Sequence, residues 1–77
     1  MDNIIVYSTP TCPFCHMVKN YLTQNNFQFK DINVAQDQQA AQEMVQKSGQ
    51  MGVPVIDING NIVVGFDRNK INDLLGL

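Results

Sequence analysis

Two thiols stand three residues apart in Thr11-Cys12-Pro13-Phe14-Cys15, directly after the apolar run Ile4-Ile5-Val6-Tyr7. They are the only cysteines among the 77 residues. One helical turn brings such a pair within disulfide reach, so at a strand-to-helix junction they form a redox couple. The proline sharpens the reading. Pro13 fits the first helical position, where its missing N–H is no loss, and Cys12 then falls at or next to the N-cap. A sulfur there faces backbone N–H groups with no intrahelical partner, and the positive end of the helix dipole. Both favour thiolate over thiol, and thiolate is the species that attacks disulfides.

Other uses of the two cysteines fit less well. A structural bridge across two intervening residues closes almost no loop and removes little unfolded-state entropy. Zinc wants four ligands, and the chain offers Cys12, Cys15 and His16, with no second Cys pair and no other histidine. Metal binding would need a dimer or an outside ligand. Two inert buried cysteines conflict with the proline and with the place at a helix start. His16 itself reads as an exposed helix residue rather than a general base.

Positioning that pair requires an ordered frame, and the hydrophobic pattern supplies one. Residues 3–7 read as a strand apolar on both faces, hence central in a covered sheet. From Pro13 the apolar residues Phe14, Met17, Val18, Tyr21 and Leu22 keep helical spacing until Asn25-Asn26. A second strand is read in Phe27-Gln28-Phe29-Lys30-Asp31, which alternates with period two, and continues through Ile32 to Val34. Asp37 predicts the N-cap of a helix carrying Ala40, Ala41, Met44 and Val45 on one face, with Lys47 in its last turn and Gly49 as C-cap. Val53-Pro54-Val55-Ile56-Asp57-Ile58 and Asn61-Ile62-Val63-Val64 are joined by Asn59-Gly60, the strongest short hairpin signal, because both residues accept positive φ. A last helix starts near Asp67 and packs Ile71, Leu74 and Leu75.

The expected order is β-α-β-α-β-β-α. A right-handed crossover makes the first two strands parallel, and the hairpin adds antiparallel neighbours. The fold class is therefore α/β, a four-stranded mixed sheet with helices on both faces. Cys12 lies past the carboxyl end of the first strand, where open α/β sheets place their sites.

Composition narrows the classes of function. Seventy-seven residues make one small domain (1–77), near the size at which a single core becomes marginal. An apolar fraction of 44% is ordinary for a folded chain and too high for disorder. The net charge is -2, and the basic residues Lys19, Lys30, Lys47, Arg68 and Lys70 are scattered, which gives nucleic acid or an anionic membrane nothing to hold. No apolar run approaches the roughly 20 residues of a membrane span, and no basic region with an apolar signal core opens the chain. With a redox pair and no disulfide framework, a cytoplasmic location is expected.

A CxxC at this point of a βαβ unit resembles the thioredoxin fold, and the rest of the chain narrows the match to its glutaredoxin-like branch. Cys12-Pro13-Phe14-Cys15 is similar to the glutaredoxin Cys-Pro-Tyr-Cys, with phenylalanine for tyrosine. Gly52-Val53-Pro54 looks like the family's Thr-Val-Pro turn, whose proline is cis, and Gly65-Phe66-Asp67 resembles the glycine-rich segment opening the last helix. The likeness covers essentially the whole chain. It implies a thiol–disulfide oxidoreductase in electron transport, with Cys12 as nucleophile, Cys15 as resolving thiol and the Cys12–Cys15 disulfide as its oxidised form. No bound cofactor or metal is implied. It also implies substrate contacts at Pro13, Phe14, Val53, Pro54, Gly65, Phe66 and Asp67. The Val53 backbone would pair with a bound thiol substrate, and Asp67 would meet the amino-acid end of glutathione. A plain N-cap is the equal alternative for Asp67.

Departures from the family bear on the electron donor. Thr9 stands where many glutaredoxins carry a basic residue, Val64-Gly65 replaces the usual Gly-Gly, and Arg68 stands where a second acid is common. Each weakens the case for glutathione. Gly65-Phe66 followed by Lys70-Ile71-Asn72 also resembles the redoxins that donate electrons to ribonucleotide reductase and draw them from thioredoxin reductase. Glutathione and thioredoxin reductase both stand as donors, with disulfide-containing proteins as substrates and a monomer as the working state. A different class, an iron–sulfur carrier assembled as a dimer through Cys12 and an outside thiol, fits less well, because cluster-binding glutaredoxins commonly have one active cysteine or a small residue in place of Pro13.

Overall fold

In the computed structural model, which describes residues 3–77, the elements follow in the order β1 (Ile4–Ser8), α1 (Pro13–Gln24), β2 (Lys30–Asn33), α2 (Gln38–Ser48), β3 (Val55–Ile58), β4 (Asn61–Val64) and α3 (Arg68–Leu75). The strands form one sheet in the order β2-β1-β3-β4. β1 runs parallel to β2, with Ile5 opposite Lys30, and antiparallel to β3, with Val6 opposite Ile56. The mixed sheet expected from the crossover and the hairpin is thus the one formed, with β1 inside it.

Period-two alternation along β1 explains why it is apolar throughout. Ile4 and Val6 pack with Val18 and Leu22 of α1 and Ile71 of α3 on one face of the sheet. Tyr7 packs on the opposite face with Ala40 and Met44 of α2, and Ile5 lies against the same cluster. The helix ends follow local chemistry. The Asp37 carboxylate accepts the Ala40 N–H at 3.0 Å, and Gly49 closes α2 in the left-handed region at φ 76. Asn59 and Gly60 turn the hairpin with φ 53 and 90.

Boundaries of β1, β2 and β3 differ from expectation: β3 begins at Val55 rather than Val53, after the Val53–Pro54 bond, and β2 ends at Asn33, short of Val34. The second strand begins at Lys30, not at Phe27, because Lys30 pairs with Ile5 and β1 has only one residue before it. Phe27 and Phe29 instead cover the core beside α1, which satisfies their apolar pattern without a ladder partner. β1 extends to Ser8, opposite Asn33, and carries the chain one residue nearer to Cys12.

Lys47 does more than complement the end of α2. Its Nζ donates to Asp57 Oδ2 and to the Tyr7 hydroxyl, each at 2.9 Å, and Glu43 lies 3.3 Å away. Asp57 is buried, and its other oxygen accepts the Gly60 N–H at 2.8 Å. A buried carboxylate on β3 is tolerated because α2 delivers a cation and the hairpin an amide. The bond to Asp57, then that to Tyr7, holds the Lys47 ammonium above its usual range in spite of burial.

Candidate redox site

Cys12 is the N-cap of α1, with extended backbone angles, and Pro13 opens the helix as expected. Its sulfur accepts the Cys15 N–H at 3.2 Å, an orphan amide of the first turn. Its thiol also points to the carbonyl of Val53, with a sulfur–oxygen distance of 3.9 Å. The loop Thr9–Thr11 is tied back by the Cys12 N–H, which donates to the Thr9 carbonyl at 3.4 Å. Cys12 is partly exposed and Cys15 is buried, and both are free thiols. One sulfur is open to a partner while the other waits a turn below.

Burial pushes the Cys15 thiol up, to about 11, and the neighbouring Cys12 sulfur acts in the same direction. The Thr9 backbone and the charge of Lys19 pull the other way. Lys19 lies four residues beyond Cys15 on α1 and forms a 3.0 Å ion pair with Asp31 Oδ2, while the buried Ser8 hydroxyl donates to Asp31 Oδ1 at 2.7 Å. Burial raises the Asp31 carboxyl, but the Ser8 and Lys19 hydrogen bonds more than offset it, so the carboxyl sits below its usual range. Sequence reasoning passed over Lys19, Asp31 and Ser8. The spacing Cys15 to Lys19 was the available signal, since residues four apart share a helix face.

The Val53–Pro54 peptide is cis, and Pro54 is buried at the head of β3. The Gly65 N–H donates to the Pro54 carbonyl at 2.9 Å, so the segments 53–54 and 65–67 meet at one edge. Phe14 is 60% exposed beside the cysteine pair, a large apolar surface that the core does not use. Phe66 turns from that edge toward the core and meets Tyr21 edge-on, with ring centroids 5.7 Å apart. Asp67 caps α3 by accepting the Lys70 N–H at 3.2 Å. The Arg68 guanidinium lies over the Tyr21 ring, 5.0 Å from its centre. His16 is exposed and its Nε2 sits 3.0 Å from the Pro10 carbonyl. Among the described residues, no three His, Cys, Asp or Glu side chains converge as a metal ion would need. No helix among them is long and apolar enough to cross a membrane.

A β-α-β-α-β-β-α chain with a dithiol at the start of its first helix, beside a cis-proline turn, defines a redox protein of the thioredoxin fold. It belongs to the glutaredoxin family, whose sequence profile matches residues 4–63. A glutaredoxin-like 8.6 kDa protein of a Clostridium pasteurianum rubredoxin operon is 51% identical over 72 residues, covering 94% of this chain and 96% of that protein. The crystal structure of a mutant of the thioredoxin-like protein BC3987 superposes with a TM-score of 0.91 at 33% identity, covering 99% of this chain and 97% of the other. The NrdH-redoxin from Escherichia coli, a glutaredoxin-like protein with a thioredoxin-like activity profile, superposes with a TM-score of 0.83 at 29% identity, covering 94% and 93%.

Proposed function

We propose that the chain is a dithiol–disulfide oxidoreductase that reduces disulfides through Cys12 and Cys15. The observation that carries this reading is the division of labour in the pair: a partly exposed sulfur that accepts a helix-start amide, above a buried thiol one turn on. The Cys12 thiolate attacks one sulfur of a substrate disulfide, and the other sulfur leaves as a thiolate and takes a proton from solvent. Cys15 then gives up its proton, attacks Cys12 and releases the second substrate thiol. The protein is left with the Cys12–Cys15 disulfide, and two electrons and two protons from a donor restore it. Pro13 and Phe14 flank the attacking sulfur. Val53 and Pro54 offer backbone to an extended substrate, and Gly65, Phe66 and Asp67 border the same edge.

For the donor, we favour a thioredoxin reductase over glutathione. Arg68 is packed on Tyr21 where the glutathione-using pattern has a second acid, and the likeness to a redoxin of thioredoxin-like activity supports the same choice. Ribonucleotide reductase is the protein substrate that this version of the reading proposes. The test offers the oxidised protein NADPH with thioredoxin reductase, or NADPH with glutathione and glutathione reductase. Faster NADPH oxidation in the first mixture supports the reading. Faster turnover with glutathione returns the chain to glutathione-dependent reduction, and turnover with neither removes the oxidoreductase assignment.

A further inference from the structure

Between the loop after β1, α1 and β2 lies a cavity of about 290 Å³, lined by Ser8, Thr9, His16, Lys19 and Asp31 among others. Lys19 keeps only 20% of its side chain in water, and its ammonium closes on Asp31 rather than reaching outward. An ion pair so placed at the rim of a small domain contributes little to stability. Its position has a chemical consequence instead. Cys15 and Lys19 share one face of α1, a turn apart, and Thr9, which contacts Cys15 through its backbone, lines the same cavity.

We infer that Lys19 is a positioning residue for the second half of the reaction, its ammonium supporting the negative charge that Cys15 must carry when it closes the internal disulfide, with Asp31 holding that charge in check. The inference rests on the dithiol reading above. Cys15 begins as a buried thiol, so the step needs its proton to pass to solvent or a buffer base before the sulfur attacks Cys12. The Cys12–Cys15 bond then forms, the bond from Cys12 to the substrate sulfur breaks, and the leaving thiolate takes up a proton. The groups acting on Cys15 are Cys12 and Lys19 from α1 and the Thr9 backbone from the loop after β1. Those acting on the Lys19–Asp31 pair are Ser8 from β1 and His16 from α1.

Two opposed substitutions separate this role from a merely structural one. Lys19→Met removes the cation and makes Cys15 harder to ionise. Asp31→Asn releases the cation from its partner and makes ionisation easier. A tenfold change in thiolate fraction is partly offset, because a less acidic thiol is the better nucleophile, so the rate should move by about threefold. The experiment loads Cys12 with thionitrobenzoate and follows its release in a single turnover from neutral to alkaline pH. Lys19→Met should slow release about threefold at neutral pH and move the profile to higher pH, by about one unit for a tenfold change in thiolate. Lys19→Arg should restore it, and Asp31→Asn should move the profile to lower pH. Shifts in the same direction for Lys19→Met and Asp31→Asn, or no shift in either, overturn the inference while leaving the dithiol reading intact. Absence of release from the unaltered protein, matching Cys15→Ser, removes both.

Discussion

The Cys12 sulfur accepts the backbone N–H of Cys15 at 3.2 Å, while the Cys15 sulfur has no exposure to water at all. One residue thus lends its amide to the Cys12 sulfur and hides its own thiol. The asymmetry comes from helix geometry. An N-cap side chain reaches back over the first turn, whereas the third helical residue points into the core.

Cys15 should remain a thiol well above the pH at which a free cysteine ionises. In Cys12→Ser, burial still acts on it, and burial is the largest cause of its rise to about 11. Thiolate absorbance in that variant should climb mostly above pH of about 9, against an ordinary value of about 8.5. A midpoint at or below the ordinary value would count against the burial argument. The same shift sets the sign of an alkaline effect on folding. The unfolded chain loses this proton first, so the contribution is complete below about 8.5 and fades as pH rises through the folded value.

Lys47→Met should destabilise the fold by about 2 kcal/mol, read as a lower urea midpoint at unchanged slope. The loss is smaller than the about 3–5 kcal/mol of a fully buried pair, because Lys47 keeps 27% of its side chain exposed. Adding Asp57→Asn should recover part of it, since no unpaired carboxylate then remains on β3. A double variant less stable than Lys47→Met would refute the charge argument.

Gly60→Ala isolates a purely conformational cost. A Cβ at this position meets nothing within 4 Å, yet φ is 90. The loss should be about 1–2 kcal/mol, which lowers the melting temperature by roughly 5–10 °C in a chain of this size. Disulfide reduction should be unchanged after refolding, because the turn lies beside Asn3 and Ile58, at the end of β1 away from Cys12. An unaltered melting temperature would show that the turn relaxes.

Most of the frame was legible because its signals are local. Cys12-Pro13, Asp37, Asn59-Gly60 and Asp67 each specify a cap or turn through their own side chains or φ, and each sits where that chemistry puts it. The start of β2 was not, since alternation at Phe27 and Phe29 looks the same whether the residues face a strand partner or merely cover a core. In the site, the cysteine pair was legible from spacing alone. The ion pair of Lys19 with Asp31 was not, because it joins α1 to β2 and depends on the register that puts Asp31 opposite Val6. Lys47 was read as a partner for the helix dipole, but its reach to Tyr7 and Asp57 follows from the packing of α2 on the sheet.

The dithiol mechanism is tested most directly by trapping its intermediate. Cys15→Ser, incubated with an oxidised protein substrate and no added thiol, should accumulate a covalent adduct that peptide mapping assigns to Cys12, with turnover lost. Cys12→Ser should accumulate none, since its remaining thiol is buried. An adduct carried by Cys15, or a Cys15→Ser protein that still reduces protein disulfides at the parent rate, would contradict the account.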